Sequence, residues 1–153
     1  MTNLRLYIPQ LLPEASRALW IDVDTIIKGK LDELFIIDMT DKAVGMVKEN
    51  KKDRIYCNAG ICLFNLNYIR EHELDKQFIE KLYGSKLLYP DQDVLNQVCK
   101  DHILFLDPKY NASKFTQMPS EIIIRHYIFN EKLWNHKDSP EWKEYYIERL
   151  TNE

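Results

Sequence analysis

The stretch Ala18-Leu19-Trp20-Ile21-Asp22-Val23-Asp24 decides how the chain is read. An apolar run leads directly into one acid, and a second acid follows two positions later. A short apolar run of this kind suits a strand buried on both faces, as in an α/β sheet. In extended chain Asp22 and Asp24 face the same side, with Cα atoms about 6–7 Å apart. Two carboxylates at a low-dielectric strand end repel each other, and a shared divalent cation relieves that cost. The plainer alternative is a pair of strand-end acids that cap a helix or meet water. Loops at the C-terminal ends of strands are where open α/β sheets bind ligands, which favours the cation.

Working outward, Pro9 and Pro13 bracket Gln10-Leu11-Leu12, a turn-like or short helical approach. Beyond the acids, Thr25–Lys28 continues extended until Gly29, and Leu31–Phe35 reads as one or two helical turns. Ala43–Val47 and Ile61–Asn65 are further buried strands, separated by the mixed-charge segment Lys48–Arg54, which reads as a solvated loop. Leu74, Phe78 and Leu82 recur at four-residue spacing and predict a helix over Glu73–Tyr83. A second helix is expected over Asp91–Val98, strands over Ile103–Leu106 and Ile122–Ile124, and a tail helix from Pro140 carrying Trp142, Tyr145, Tyr146, Ile147 and Leu150. Strands alternating with helices define an α/β fold with a mixed sheet.

With 153 residues, 45% hydrophobic and 29% charged, the chain suits one globular domain over 1–153. A net charge of -3 and no dense Lys/Arg run argue against a nucleic-acid partner. No apolar stretch is long enough to span a bilayer, and Met1-Thr2-Asn3-Leu4-Arg5 lacks a signal-peptide layout. Cys57, Cys62 and Cys99 do not make a zinc pattern and read as buried or half-buried free thiols, so a cytoplasmic location is expected.

Three other constellations carry chemistry. His126 follows Ile122-Ile123-Ile124-Arg125 at a strand end; a lone histidine is more often structural, yet imidazole beside two carboxylates would suit Mn²⁺ better than Mg²⁺. Asp91-Gln92-Asp93 opens a helix, where an aspartate is commonly a cap. Gln92 offers both an amide donor and a carbonyl acceptor that could position sugar hydroxyls. Asn58-Ala59-Gly60 reads as a turn into a strand, small enough for a ligand to approach the backbone.

In order and wording these pieces resemble glycosyltransferase family 8, the family of glycogenin and the bacterial lipopolysaccharide sugar transferases. The matching stretches are Arg5–Pro13, Trp20–Asp24, Tyr56–Ile61 leading to Asn65-Leu66, Tyr89–Asn96, Lys109–Asn111, and His126-Tyr127 followed by Lys132-Leu133-Trp134. The resemblance covers nearly the whole chain, and its last segment looks most like the bacterial members. It implies a GT-A-like nucleotide-diphospho-sugar transferase fold lacking the family's N-terminal nucleotide-binding portion. It also implies that the chain is the C-terminal catalytic half of such a domain.

Position by position, the resemblance implies that Asp22, Asp24 and His126 hold Mn²⁺ bridging the diphosphate of a UDP-sugar. Arg5, Asp22, Asn58, Ala59, Gly60, Asp91 and Gln92 would lie against the donor, and Lys132 against the diphosphate. Gln92 matches the family residue nearest the reacting carbon. A neutral amide is a poor nucleophile, so retention is expected to proceed by same-face attack through an oxocarbenium-like state; Asp93 stands as an alternative nucleophile. The implied reaction moves a hexose to a saccharide acceptor in lipopolysaccharide or other surface-glycan synthesis, which would bring the protein to the membrane periphery through the acceptor. Two positions depart from the family: Phe129 where glycine is usual, and Leu133 where proline is usual. A ring at 129 could crowd the diphosphate. Without the N-terminal elements, Leu11, Leu12, Leu19 and Trp20 would lose partners, so self-association or pairing with a separate N-terminal half is expected. A non-catalytic remnant of such an enzyme is the alternative. A phosphohydrolase of the haloacid dehalogenase type ranks below both, because Ile26 stands where that site usually has Thr or Val.

Overall fold

The computed structural model describes residues 2–135 together with Pro140, Lys143 and Glu144. The expected tail helix falls largely outside the described residues. A 3-10 turn over Thr2–Tyr7 leads into α1 (Ile8–Leu11), β1 (Arg17–Ile21), β2 (Thr25–Ile27) and α2 (Asp32–Ile36). Then come β3 (Val44–Lys48), β4 (Cys57–Asn65), α3 (Leu66–Glu71), α4 (Leu74–Gly84), α5 (Pro90–Val98), β5 (Ile103–Phe105) and β6 (Ile124–His126). The main sheet has the order β1-β4-β3-β5, antiparallel except where β5 runs parallel to β3; β2 and β6 form a separate antiparallel pair.

The centre of the sheet is β4, buried from Cys57 to Phe64. On one face Val44, Met46, Cys62 and Phe64 meet Leu66, Ile69, Phe78, Val94 and Leu95 from α3, α4 and α5. On the other, Val47 and Ile61 meet Leu34, Leu106, Tyr110, Ile123 and Ile124. Each fully buried aliphatic or aromatic side chain here contributes about 1.5–3 kcal/mol of apolar burial. Cys57, Cys62 and Cys99 are free and buried, and burial pushes Cys57 and Cys99 up to about 12 and Cys62 higher still.

Three strand readings change. The strand expected over Ile122–Ile124 lies instead at Ile124–His126, because Ile123 bonds Lys109 O and Lys28 N while the next three residues pair with β2. Ala18–Ile21 is only half-buried, although core packs on both of its faces. It belongs to β1, an edge strand that pairs only with β4 among the described residues, and all five of its residues are half-buried. The apolar run is explained by contact on one side with the helix-facing core and on the other with the second cluster, through Trp20 and Leu19 respectively. Nor is Asn58-Ala59-Gly60 a turn: it lies inside β4. The β3–β4 register breaks there. Val47 pairs with Asn58 and Gly45 with Leu63, so two steps along β3 span five along β4. The irregularity switches which face alternate side chains take: Cys57 and Ala59 point to the helix side, and so do Cys62 and Phe64. Such irregularities bend a strand and re-aim neighbouring side chains, and they are common beside functional sites.

Candidate functional site

Asp22 follows the last residue of β1, and its N–H bonds Gly60 O at 2.9 Å across the irregularity in β4. Thr25 Oγ1 closes the turn on Asp22 O at 2.8 Å, which presents Asp24, and Tyr127 N bonds Asp24 O at 2.8 Å. This last bond stitches the acid turn to the end of β6, where His126 pairs with Thr25. Two strand ends far apart in sequence therefore deliver three potential ligands to one spot. His126 Nε2 lies 3.3 Å from Asp24 Oδ1 and 3.9 Å from Asp22 Oδ2, and one ligand atom from each residue lies within 4.8 Å of the others. Ligand atoms around one small divalent ion stand about 3–4.5 Å apart, so the spacing fits a shared ion.

Each acid has one oxygen engaged and the other turned to the histidine. Asp22 Oδ1 accepts from Arg5 Nη2 at 2.8 Å and from Trp20 Nε1 at 2.7 Å, while Oδ2 faces His126. Asp24 Oδ2 accepts from Lys132 Nζ at 2.6 Å, while Oδ1 faces His126. Burial pushes the Asp22 carboxyl up, against the opposing pull of Arg5 and Trp20. For Asp24 burial acts in the same sense, but His126 and Lys132 together outweigh it and hold the carboxyl well below the usual range.

The histidine's tautomer follows from a chain of bonds with unambiguous ends. Asn58 Oδ1 accepts from the backbone N–H of Gly60 at 2.9 Å, and Asn58 Nδ2 donates to Glu49 Oε1 at 3.2 Å. Asn111 Nδ2 donates to the same Asn58 oxygen at 2.9 Å, so its own Oδ1 accepts from His126 Nδ1 at 3.0 Å. Nδ1 then donates to Asn111, which leaves Nε2 as the nitrogen that faces the two acids and that would be available to a cation placed between them. That is the orientation a metal-binding imidazole needs. Gly60 makes room for it, since a Cβ there would stand 2.0 Å from His126 Cε1. The small residue expected to admit a ligand admits the histidine ring.

Arg5 organises the adjacent wall. It is 3% exposed, bonds Asp22, pairs with Asp91 Oδ2 through Nε at 2.8 Å, and donates to Ala59 O. Asp91 is thus an ion-pair partner rather than the helix cap of α5. Gln92 Oε1 accepts from Ala59 N at 2.9 Å and its Nε2 donates to Glu49 Oε1 at 3.1 Å. These residues, with Asn58, Gly60 and Lys132, line one open cleft of about 380 Å³. Asp93 does not join them. It accepts from Tyr56 and from the N–H groups of Leu88 and Tyr89, holding the entrance of α5. Sequence reasoning missed Glu49, Lys51 and Phe115, which line the same cleft, and gave Asn111 no role.

The fold and the acid-acid-histidine cleft define a GT-A-type α/β transferase domain with a site suited to a divalent metal ion. The description "Glycosyl transferase family 8" matches residues 1–138, and the chain belongs to that family. A putative glycosyltransferase of Haemophilus influenzae is 31% identical over 90% of this chain and 50% of its own length. Lipopolysaccharide 1,2-glucosyltransferase of Escherichia coli is 29% identical over 70% of this chain and 38% of its own. The chain thus spans about half or less of the length of these relatives. Among solved structures, galactosyltransferase LgtC in complex with donor and acceptor sugar analogues superposes with a TM-score of 0.74 at 22% identity, covering 99% of this chain and 65% of that one. Glycosyltransferase GlyE of Streptococcus pneumoniae gives 0.75 at 25% identity, covering 88% and 38%. Family membership sets aside the phosphohydrolase reading.

Proposed function

We propose that this chain supplies the catalytic part of a retaining hexosyltransferase that moves a hexose from a UDP-sugar to a saccharide acceptor in lipopolysaccharide or other surface-glycan synthesis. The observation that carries the reading is the convergence of Asp22, Asp24 and Nε2 of a tautomer-locked His126 in a cleft. These three would hold Mn²⁺, whose chemistry there is Lewis-acid stabilisation of the leaving nucleoside diphosphate. The mixed oxygen and nitrogen donor set fits Mn²⁺ better than Mg²⁺.

Lys132, now on Asp24, is within reach of the same spot and adds a second positive charge for the diphosphate. Arg5 holds Asp22 and Asp91 in fixed places, so both carboxylates enter sugar binding already oriented. Gln92 is clamped at both ends of its amide and is a weak nucleophile; same-face attack by the acceptor hydroxyl through an oxocarbenium-like state therefore suits it better than a covalent step. Glu49, nearly buried and bonded to Gln92 Nε2, places a carboxylate where positive charge would develop. Asp93, with its oxygens on Tyr56 and two backbone N–H groups, is the weaker nucleophile candidate.

The chain is proposed to act in the cytoplasm, where nucleotide sugars are available, and to meet the membrane only through its acceptor. None of the helices among the described residues is long and apolar enough to cross a bilayer. The open edge of β1 and the exposed Leu11 and Leu12 support the further proposal that the chain self-associates or pairs with an N-terminal half. Release of UDP from UDP-glucose or UDP-galactose with Mn²⁺ and lactose tests the transferase reading. Weak or no turnover by this chain alone is expected, and whatever release occurs should require Mn²⁺ and vanish in Asp24→Ala; Mn²⁺-independent turnover unaffected by that change would refute it.

A further inference from the structure

One feature of the cleft is not used by the metal or by the donor-facing polar wall. Phe115 and Phe129 meet edge to face at its rim, with ring centroids 5.8 Å apart and planes at 88°. Both keep a large part of their surface exposed, 37% and 55%. They come from different segments that are tied together: Lys114 Nζ donates to Asn130 Oδ1 at 2.7 Å and stands over both rings. Phe115 is also anchored from below, since its carbonyl accepts from Asn50 N at 2.7 Å beside Glu49. Phe129 is held at φ 56°, in the left-handed region that a bulky side chain rarely enters. A glycine would take that conformation without cost, so the backbone here carries an aromatic ring against its local preference. Such strain concentrates at ligand clamps.

We propose, on top of the transferase reading, that Phe115 and Phe129, set at right angles, form an aromatic corner in which one ring stacks on a pyranose of the saccharide acceptor and the other closes its side. A pyranose has an apolar C–H face and a rim of hydroxyls. An exposed aromatic face complements the first, and Glu49, Lys51 and Lys114 nearby complement the second. On the proposed reading the acids, His126 and Lys132 would face the donor's diphosphate, and Arg5, Asp91 and Gln92 its sugar. Leu88, Tyr89, Pro90 and Ile128 also line the cleft, but Phe115 and Phe129 are where two exposed rings meet, and that corner suits a second, neutral ring.

Saturation-transfer NMR on the full chain, with diamagnetic Mg²⁺ in place of Mn²⁺ and with lactose as probe, tests the platform. Transfer to the axial C–H protons of one pyranose ring is expected in the parent protein. It should fall about tenfold in Phe129→Gly and in Phe115→Ala, and persist in Phe129→Trp, which keeps an aromatic face. UDP-glucose binding, measured separately by calorimetry with Mn²⁺, should be unchanged in Phe115→Ala. No transfer to lactose in the parent protein, or equal transfer in all variants, overturns the platform. So does a loss of UDP-glucose affinity in Phe115→Ala with lactose transfer intact, which would assign the rings to the nucleotide. Binding of UDP-glucose without lactose transfer would remove the platform alone. Failure to bind UDP-glucose at all would instead count against the transferase reading.

Discussion

His126 Nδ1 donates to Asn111 Oδ1 at 3.0 Å, and this one bond decides which nitrogen the ring turns toward Asp22 and Asp24. Removing an outer partner of a metal-binding histidine commonly weakens the metal about 10–100-fold. Asn111→Ala should therefore weaken Mn²⁺ by that order, by calorimetry, with the fold retained by circular dichroism. Affinity within twofold of the parent would mean that Asn111 does not set the ring.

Gly60→Ala should damage the same site from the other side. Its Cβ would overlap the His126 ring, which must swing away or push β4 apart. A cost of about 1–3 kcal/mol in urea unfolding is expected, as for other overpacked interiors, with Mn²⁺ binding lost. An unchanged urea midpoint would contradict the packing.

Arg5 bridges Asp22 and Asp91 from a buried position. Arg5→Ala leaves two partly buried carboxylates without their cation, a class of change that costs about 3–5 kcal/mol. Arg5→Lys should recover less than half of the loss, because an ammonium cannot reach Asp22, Asp91 and Ala59 O with separate fixed donors. Full rescue by lysine would show that only charge matters there.

Phe129→Gly should leave stability within about 1 kcal/mol of the parent, because relief of the left-handed backbone offsets the lost ring contact. Phe129→Ala, which loses the ring but keeps a Cβ at the same left-handed φ, should be less stable than Phe129→Gly; equal or greater stability would show that the backbone at 129 is not strained.

The three thiols give a pH prediction. Burial raises all three, Cys57 and Cys99 to about 12, so the folded state holds them protonated where the unfolded chain would release protons near pH 9. For groups raised on folding, the contribution is complete below the unfolded value and is lost as pH climbs toward the folded one. Stability should be insensitive to the thiols at pH 7–8 and decline from about pH 9 upward. Iodoacetamide at pH 8 should modify none of them until denaturant is added; rapid labelling of the folded protein would contradict their burial.

Much of this site was legible because local pattern and long-range order agreed. The apolar run into Asp22 did end a strand, while Ile122–Ile124 led only to the start of the strand whose last residue is His126, and the two strand ends met. The helix at 90–98 was placed by its apolar stripe. What escaped depended on contacts that no local pattern encodes. Glu49 lies in a charged segment that reads as solvated, yet Asn58, Gln92 and Lys51 close around it. Asn58–Gly60 has turn composition, but pairing with Val47 and the register break keep it in β4. Phe115 sits in a segment without periodicity, and only its meeting with Phe129 gives it a place.

The central claim is that Asp22, Asp24 and His126 form one donor-linked metal site. Electron paramagnetic resonance of free Mn²⁺ during titration, with and without UDP-glucose, tests it most directly. The account predicts one bound ion per chain, tightened by UDP-glucose and lost in both Asp24→Asn and His126→Ala. Mn²⁺ uptake that is indifferent to UDP-glucose and survives both substitutions would contradict it.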